Sequence, residues 1–205
     1  MMTTATVVTR VDAERPEPTT IAGAAAVLRD GGVVAFATET FYALGAAASD
    51  PAAVRRIFRV KARVESKPLL VLVDSVAMAE SLAREVTPRA RELMARHWPG
   101  ALTLVLRARA DLPSELTAGT GTIGVRLSPH PVACALVRAL GGPVTAPSAN
   151  REGAAPPTSA ADVVRAFDGL VDLVLDAGVT AGGLASTVID VTAEPRVLRQ
   201  GAVGL

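Results

Sequence analysis

The sequence is poor in the side chains that form disulfides and zinc sites. Cysteine occurs once, at Cys134, and histidine occurs twice, at His97 and His130. A single cysteine cannot form an internal disulfide, and these three side chains are too few for a structural zinc site. The sequence therefore predicts a reduced protein, and we expect it to be cytoplasmic.

Aromatic residues, an excess of one charge and long hydrophobic runs are also lacking. Aromatic residues make up 3% of the chain, which argues against a protein that reads single-stranded nucleic acid by stacking bases on rings. The net charge of +1 leaves only a local basic surface as a nucleic-acid contact. Acidic residues and prolines interrupt the apolar segments, and residues 1–18 lack the core of a signal peptide. We therefore expect a soluble protein without a membrane partner.

The apolar segments predict an α/β fold. Short aliphatic strands, such as LLVLV and LTLVL, alternate with helical segments, among them residues 20–32, 51–60 and 76–85. Continuous apolar strands are typical of a sheet covered by helices. The strands STVIDV and RVLRQ are separated only by TAEP, a hairpin-like link, so we expect a mixed sheet. The 205 residues show no repeat or linker, and they predict a single domain.

Lysine is rare, and both lysines lie in KARVESKP, residues 61–68. The segment could be a solvated helix face that runs into a loop. Alternatively, because Pro68 and a buried strand follow it, the loop could lie at a sheet edge, where α/β proteins bind ligands. The point charges of Lys61 and Lys67 suit a polyphosphate, and the fork of Arg63 suits a single phosphoryl group.

Three further segments carry polar groups beside apolar strands. ATETFYALG, residues 37–45, and PSANREGAAPPT, residues 147–158, are either turns or parts of a site. Arg126 lies within a strand between Val125 and Leu127, so it needs an anion, which is either a ligand or a structural carboxylate. We interpret His130, between two prolines, as part of a rigid turn and not as a catalytic base.

GTGTIG, residues 119–124, matches the dinucleotide-binding fingerprint in its letters only. A loop precedes it and a strand follows, whereas the fingerprint must follow a strand and open a helix. We therefore interpret these glycines as a flexible entry to a strand.

Seven motifs together resemble the YrdC-like family, the threonylcarbamoyl-AMP synthases, from about residue 18 to the end of the chain. They are ATETFYALG, KARVESKP, WPGALTLVL, GTIGVRLSPHP, PSANREGAAPPT, STVID and VLRQGAV. The resemblance implies a twisted, open mixed sheet flanked by helices, with a basic concave surface. It also implies one domain over residues 1–205, with 1–17 as a leading extension, in the short form that lacks an additional C-terminal domain.

The resemblance implies an enzyme that forms threonylcarbamoyl-AMP and pyrophosphate from L-threonine, bicarbonate and ATP. Mg²⁺ would accompany the ATP, and transfer proteins would pass the threonylcarbamoyl group to the adenosine beside the anticodon in tRNA. The resemblance implies neither a catalytic nucleophile nor metal ligands from the protein. The family positions for L-threonine correspond to Thr38, Arg126, Ala146 and Ser186. Those for ATP correspond to Lys61, Arg63, Lys67, Thr122, Ser148, Asn150, Pro156 and Arg199.

Four positions depart from the family pattern, namely Ala37, Ala43, Ala101 and Glu152. The carboxylate of Glu152 could weaken ATP binding if it lay near the phosphates. Two other functions stay open. One is a non-catalytic module that binds tRNA or double-stranded RNA by shape. The other is the carbamoyl-transfer version of the domain, which occurs within much larger proteins.

Overall fold

The computed structural model describes residues 5–62 and 68–204, in which strands and helices alternate. The strands are β1 Val7–Arg10, β2 Val34–Ala37, β3 Tyr42–Gly45, β4 Leu70–Val73, β5 Ala83–Glu85, β6 Leu102–Ala108, β7 Thr122–Leu127, β8 Val144–Thr145, β9 Leu173–Asp176, β10 Thr187–Asp190 and β11 Arg196–Arg199. The helices are α1 Pro18–Arg29, α2 Pro51–Lys61, α3 Val76–Leu82, α4 Pro88–His97, α5 Ser114–Thr117, α6 Pro131–Leu140 and α7 Ala160–Phe167.

The strands form two hydrogen-bonded sheets that are joined at one place. The smaller sheet has the order β1-β9-β2-β3, and the larger has the order β11-β10-β6-β7-β4-β8, with β5 paired to β6. Isolated antiparallel bridges join Ala43 to Ser148 and Ala47 to Val144, so β3 continues onto the β8 segment. Both sheets contain parallel and antiparallel pairs, and this confirms the mixed sheet that the sequence predicts.

Each face of the sheets is covered by a different set of helices. The buried residues of α2, α3, α4 and α7 pack in one hydrophobic cluster with alternate residues of the strands. The buried residues of α1 and α6 form a second cluster with Phe36, Leu72 and Val144. Successive strand residues point to opposite faces, so this second face is the one to which Leu72 points. Helices α1 and α6 cover only the part of this face around Phe36, Leu72 and Val144.

Local signals explain where two of the helices begin. Asp50 caps α2, because its carboxylate accepts a hydrogen bond from the backbone N–H of Ala52 at 2.8 Å, and Pro51 follows in the first helical position. His130 caps α6 through its Nδ1, which accepts from the backbone N–H of Val132 at 3.3 Å. This cap agrees with our interpretation of His130 as a turn element.

Two sequence predictions about local structure are wrong. The helix predicted over residues 76–85 ends at Leu82, and Ala83–Glu85 instead forms β5, which pairs with the edge of β6. The loop predicted to precede GTGTIG contains helix α5, Ser114–Thr117. Residues 37–45, predicted as a turn or part of a site, contain strand β3 of a hairpin with β2, and Tyr42 and Ala43 line the cavity described below. The interpretation of GTGTIG as the entry to a strand is confirmed, because Gly119 and Gly121 lead directly into β7, which begins at Thr122 within the segment. Every helix within residues 5–62 and 68–204 is too short or too polar to cross a bilayer.

Candidate active site

A cavity of about 510 Å³ lies over the part of the larger sheet that the described helices leave open. Its floor follows from strand register, since Leu70 pairs with Gly124, Gly124 with Val105, and Val105 with Asp190. Gly124 contributes no side chain at the centre of this row. The neighbouring row carries Thr103, Val188 and Arg126, which point to the same side because side chains alternate along each strand.

The structure brings most of the predicted site residues together around this cavity. The residues that line it include Thr38, Lys61, Thr122, Arg126, Ala146, Ser148, Pro156, Ser186 and Arg199. Asn150 does not line the cavity and lies in the loop behind Ser148. Arg63 and Lys67 fall outside the described residues. Glu152 is exposed and does not line the cavity.

Arg126 is the most deeply buried cation of the cavity, with 4% of its side chain exposed. Its Nη1 lies 2.9 Å from Oε1 of Glu39, so the structural carboxylate that the sequence left open is present. The contact is an ion pair without a well-aligned hydrogen bond, because Oε1 of Glu39 and Nε of Arg126 both lack a hydrogen-bond partner within residues 5–62 and 68–204. A buried donor without a partner is costly. Arg126 therefore retains an unfilled capacity to bind an anion.

Burial and a second arginine lower the pKa of Arg126. Desolvation is the main cause, Glu39 opposes it, and the positive charge of Arg199 adds to it. Both guanidinium groups line the cavity, so their like charges repel each other there. Burial likewise lowers the pKa of Arg199. A guanidinium stays protonated in proteins, so both groups keep their charge near neutral pH.

Arg199 is held against β10 and β6 by a small polar network. Its Nε and Nη2 donate to the carbonyl of Ser186 at 3.0 and 2.9 Å, and Nη2 also donates to the Ser186 hydroxyl at 3.0 Å. That hydroxyl lies 2.9 Å from the Thr103 hydroxyl. Arg199 and Ser186 therefore share one wall, although the family pattern assigns them to different ligands.

Lys61 is buried at the end of α2 and points into the loop that follows β8. Its Nζ donates to the backbone carbonyls of Ser148 and Asn150. A buried ammonium needs such acceptors, because an unpaired charge in the interior is strongly unfavourable. Lys61 thus fixes the loop that carries Ser148, a role that the sequence did not indicate.

Asn150 stabilises the same loop from within. Its amide Nδ2 donates to the carbonyls of Arg151 and Ala154, and its Oδ1 accepts from the Ser148 hydroxyl. The hydrogen bonds shown for its side chain are therefore internal to this loop. Asn150 affects the cavity through the position of Ser148.

Thr38 fixes the turn between β2 and β3. Its hydroxyl donates to the carbonyl of Phe41 at 2.8 Å and accepts from the backbone N–H groups of Thr40 and Phe41, both at 3.3 Å. Thr122 lies across the cavity, with its hydroxyl 2.8 Å from that of Thr120. Both threonines therefore line the cavity, and both also take part in local hydrogen bonds.

Tyr42 connects this turn to the loop after β9. Its hydroxyl donates to the carbonyl of Gly178 at 2.7 Å and accepts from the backbone N–H of Ala177 at 3.1 Å. Burial raises the pKa of Tyr42 to about 12, so the phenol stays protonated and remains a donor at neutral pH. The β2–β3 hairpin is thereby held by the hydrogen bonds of Thr38 in its turn and by those of Tyr42 in β3.

Sequence reasoning missed four polar residues at or beside the cavity, which are Glu39, Thr40, Thr103 and Asp190. Glu39 and Thr40 belong to a motif that had been recognised, and alternation along β6 and β10 could have indicated Thr103 and Asp190. Asp190 accepts hydrogen bonds from the backbone and hydroxyl of Thr192. Within residues 5–62 and 68–204, no three acidic, histidine or cysteine side chains are grouped as metal ligands.

Comparisons with known proteins show the family to which the chain belongs. Residues 26–201 match the Sua5/YciO/YrdC family, which carries the description "Telomere recombination". A threonylcarbamoyl-AMP synthase from Bacillus subtilis is 43% identical over 185 residues, covering 89% of this chain and 54% of that protein. A threonylcarbamoyl-AMP synthase from Thiobacillus denitrificans is 38% identical over 177 residues, covering 86% of this chain and 93% of that protein.

A crystal structure of Pyrococcus abyssi Sua5 complexed with L-threonine superposes with a TM-score of 0.92 at 43% identity. The match covers 96% of this chain and 58% of the P. abyssi chain, so this chain spans little more than half of two of these relatives. The matched region contains the cavity and its polar walls. The chain belongs to the Sua5/YciO/YrdC family.

Proposed function

We propose that the chain is a threonylcarbamoyl-AMP synthase, an enzyme that transfers a nucleotidyl group. It would join L-threonine, bicarbonate and ATP to give threonylcarbamoyl-AMP and pyrophosphate. The observation that carries the proposal is the buried guanidinium of Arg126, whose Nε has no hydrogen-bond partner among the described residues, in the same cavity as Arg199 and Lys61. The relatives with this name support the same reaction.

On the amino-acid side, Arg126 would receive the α-carboxylate of L-threonine. A guanidinium is suited to a carboxylate because it can donate two parallel hydrogen bonds. Thr38 and Ser186 would supply hydroxyl groups for the polar end of the substrate, and Ala146 would border it. Rejection of analogues that lack a hydroxyl follows when such buried polar groups are left without a partner.

On the nucleotide side, the remaining predicted residues would surround ATP. Arg199 and the basic loop with Arg63 and Lys67 would offset the negative charge of the phosphates. The cavity-lining residues Thr122, Ser148 and Pro156 would border the nucleotide, while Lys61 and Asn150 would hold the Ser148 loop in place.

The reaction would proceed in two steps. The amine of threonine attacks the carbon of bicarbonate and forms a carbamate with loss of water. A carbamate oxygen then attacks the α-phosphorus of ATP, the bond to the β-phosphate oxygen breaks, and pyrophosphate leaves. Such transfers depend mainly on positioning and on neutralisation of charge. The proposal therefore requires neither a protein nucleophile nor a covalent enzyme intermediate.

Mg²⁺ would enter with ATP. Asp190 is a carboxylate that lines the cavity, but two hydrogen bonds to Thr192 already engage its Oδ1. Mg²⁺ keeps several waters and commonly uses phosphate oxygens as ligands, so a site with few protein ligands fits it. When bound, the ion would neutralise phosphate charge. Among the described residues that line the cavity, Asp190 could contact the ion or its waters, although its Oδ2 also lies 3.8 Å from Nη2 of Arg196.

The product would be consumed in the cytoplasm by transfer proteins that modify tRNA. The proposed reaction does not require this chain to contact tRNA directly. A module that only binds double-stranded RNA would have no need for a buried guanidinium beneath the surface, because backbone phosphates are contacted from outside.

Pyrophosphate release tests the proposed reaction. The chain is incubated with ATP, Mg²⁺, L-threonine and bicarbonate, and then with each component omitted in turn. We expect release only when all are present. Release that does not depend on threonine contradicts the synthase, and tight binding of double-stranded RNA without turnover supports the RNA-binding module instead.

A further inference from the structure

Glu39 is a partly buried ionisable residue to which the proposed binding roles give no function. Its side chain is 17% exposed, and its Oε1 lies 2.9 Å from Nη1 of Arg126 while accepting no hydrogen bond. The neighbouring residues Thr38 and Thr40 line the cavity, whereas Glu39 itself does not. Its carboxylate therefore contacts Arg126, a residue of the cavity wall, without lining the cavity itself.

The carboxylate connects two separate parts of the chain. Arg126 and Ser128 are two residues apart at the end of β7, so their side chains point to the same side. Oε1 of Glu39 contacts Arg126, and Oε2 accepts a hydrogen bond from the Ser128 hydroxyl. The β2–β3 turn, which carries Thr38, is thus tied to the strand that carries Arg126. Both residues belong to the proposed threonine side.

Ser128 is itself held in one orientation. It is 2% exposed, its hydroxyl accepts from the backbone N–H of His130 at 3.2 Å, and its carbonyl accepts from Sγ of Cys134 at 2.9 Å. The Glu39 carboxylate is therefore oriented from the start of α6. It cannot change its direction without breaking the hydrogen bond to Ser128.

Arg126 depends on Glu39 for a counter-charge, whereas the nucleotide side has other supports. Removing one partner of a buried ion pair leaves an uncompensated charge that must reorient or take up water. Arg199 is fixed by Ser186, and Lys61 by the carbonyls of the Ser148 loop. A change at Glu39 should therefore alter the amino-acid side alone.

We propose that Glu39 is a positioning residue that orients the Arg126 guanidinium and thereby sets selectivity for an amino acid with a free α-carboxylate. This inference rests on the proposed function, because it takes threonine as the ligand of Arg126. Glu39 touches no reacting atom in this proposal. Its effect passes through Arg126 and the turn that carries Thr38.

Calorimetric titration of Glu39→Gln tests the inference. L-threonine, L-threoninamide and ATP are titrated separately into the wild-type chain and into the variant. Because the variant keeps the shape of the side chain and loses its charge, we expect threonine binding to weaken about tenfold, the size of one charge-assisted contact. Threoninamide lacks the carboxylate, so its affinity should change less, and the preference for threonine over threoninamide should fall. ATP affinity should stay within about twofold, since its side of the cavity has other supports.

Two further variants keep the test decisive. Ser128→Ala removes only the hydroxyl that orients the carboxylate, so it should lower the same preference by a smaller factor, even if Glu39→Gln does not fold. Glu85→Gln is a matched control on an exposed residue of β5 and should leave all three affinities unchanged.

The outcomes separate this inference from the proposed function. An unchanged preference for threonine over threoninamide in both variants, or equal losses for threonine and ATP, overturns the role of Glu39 alone. A wild-type chain that binds no threonine overturns the proposed function together with it.

Discussion

Replacing Arg126 by lysine separates the shape of the guanidinium from its charge. Arg126 is almost fully buried beside Glu39, and lysine keeps a positive charge there while losing the two-pronged donor. At least one charge-assisted hydrogen bond to the threonine carboxylate is then lost, which is worth about 1.5–3 kcal/mol. At about 1.4 kcal/mol per factor of ten, threonine should bind about 10- to 150-fold more weakly.

Calorimetric titration with L-threonine measures this loss, and ATP titration provides the internal comparison. ATP affinity should change by no more than about twofold, because Arg126 lies on the amino-acid side. Arg96→Lys, on an exposed residue of α4, is the matched control. Arg126→Met differs from both, since it leaves Glu39 without a counter-charge and should cost about 3–5 kcal/mol of unfolding free energy. Unchanged threonine affinity in Arg126→Lys, or an equal loss for ATP, would refute the assignment.

Three other predictions concern the supports of the cavity. Tyr42→Phe removes the hydrogen bonds of the phenol with the Gly178 carbonyl and the Ala177 N–H, so urea denaturation should show a loss of about 1–3 kcal/mol of unfolding free energy; a loss below about 0.5 kcal/mol contradicts this. Asp50→Ala removes the cap of α2 and should cost about 1 kcal/mol by the same measurement, and no loss would show that the cap is dispensable. Lys67→Ala should weaken ATP binding without changing stability, and a large loss of stability would assign Lys67 a structural role instead.

The hydrophobic patterns were sufficient to predict most elements, because each has its own local signal. Helix α2, for example, begins at Pro51, directly after its cap Asp50, and has an apolar stripe that packs in the larger cluster. Strand β5 carries no such signal. Residues 83–85 favour a helix on local propensity, and only their pairing with β6 makes them a strand. Contacts between distant segments override local preference in such cases.

The cavity residues were predicted in a similar way, with success where a motif carried them. Arg126 was indicated by its apolar neighbours in a strand, and the need for an anion followed from chemistry. Its partner could not be identified, because the carboxylate of Glu39 comes from a turn 89 residues before Ser128, to which it also binds. An ion pair between residues that are far apart in the sequence forms only when the sheet folds, so the spacing of neighbouring residues does not predict it.

The role of Lys61 shows the same limit. Its position beside Arg63 and Lys67 favours a phosphate contact, and the sequence gives no sign that Ser148 and Asn150 would supply carbonyl acceptors. Those acceptors become neighbours only when β8 pairs with β4 and brings the following loop to the end of α2. Tertiary structure thus assigns this lysine a supporting role.

A crystal structure of the chain with L-threonine and a non-hydrolysable ATP analogue tests the central claim most directly. The claim is that one cavity over the open sheet holds both ligands. We predict the threonine carboxylate within hydrogen-bond distance of Arg126 and the phosphate chain between Arg199 and the Ser148 loop. Threonine bound away from Arg126, or a nucleotide bound outside this cavity, would contradict the account.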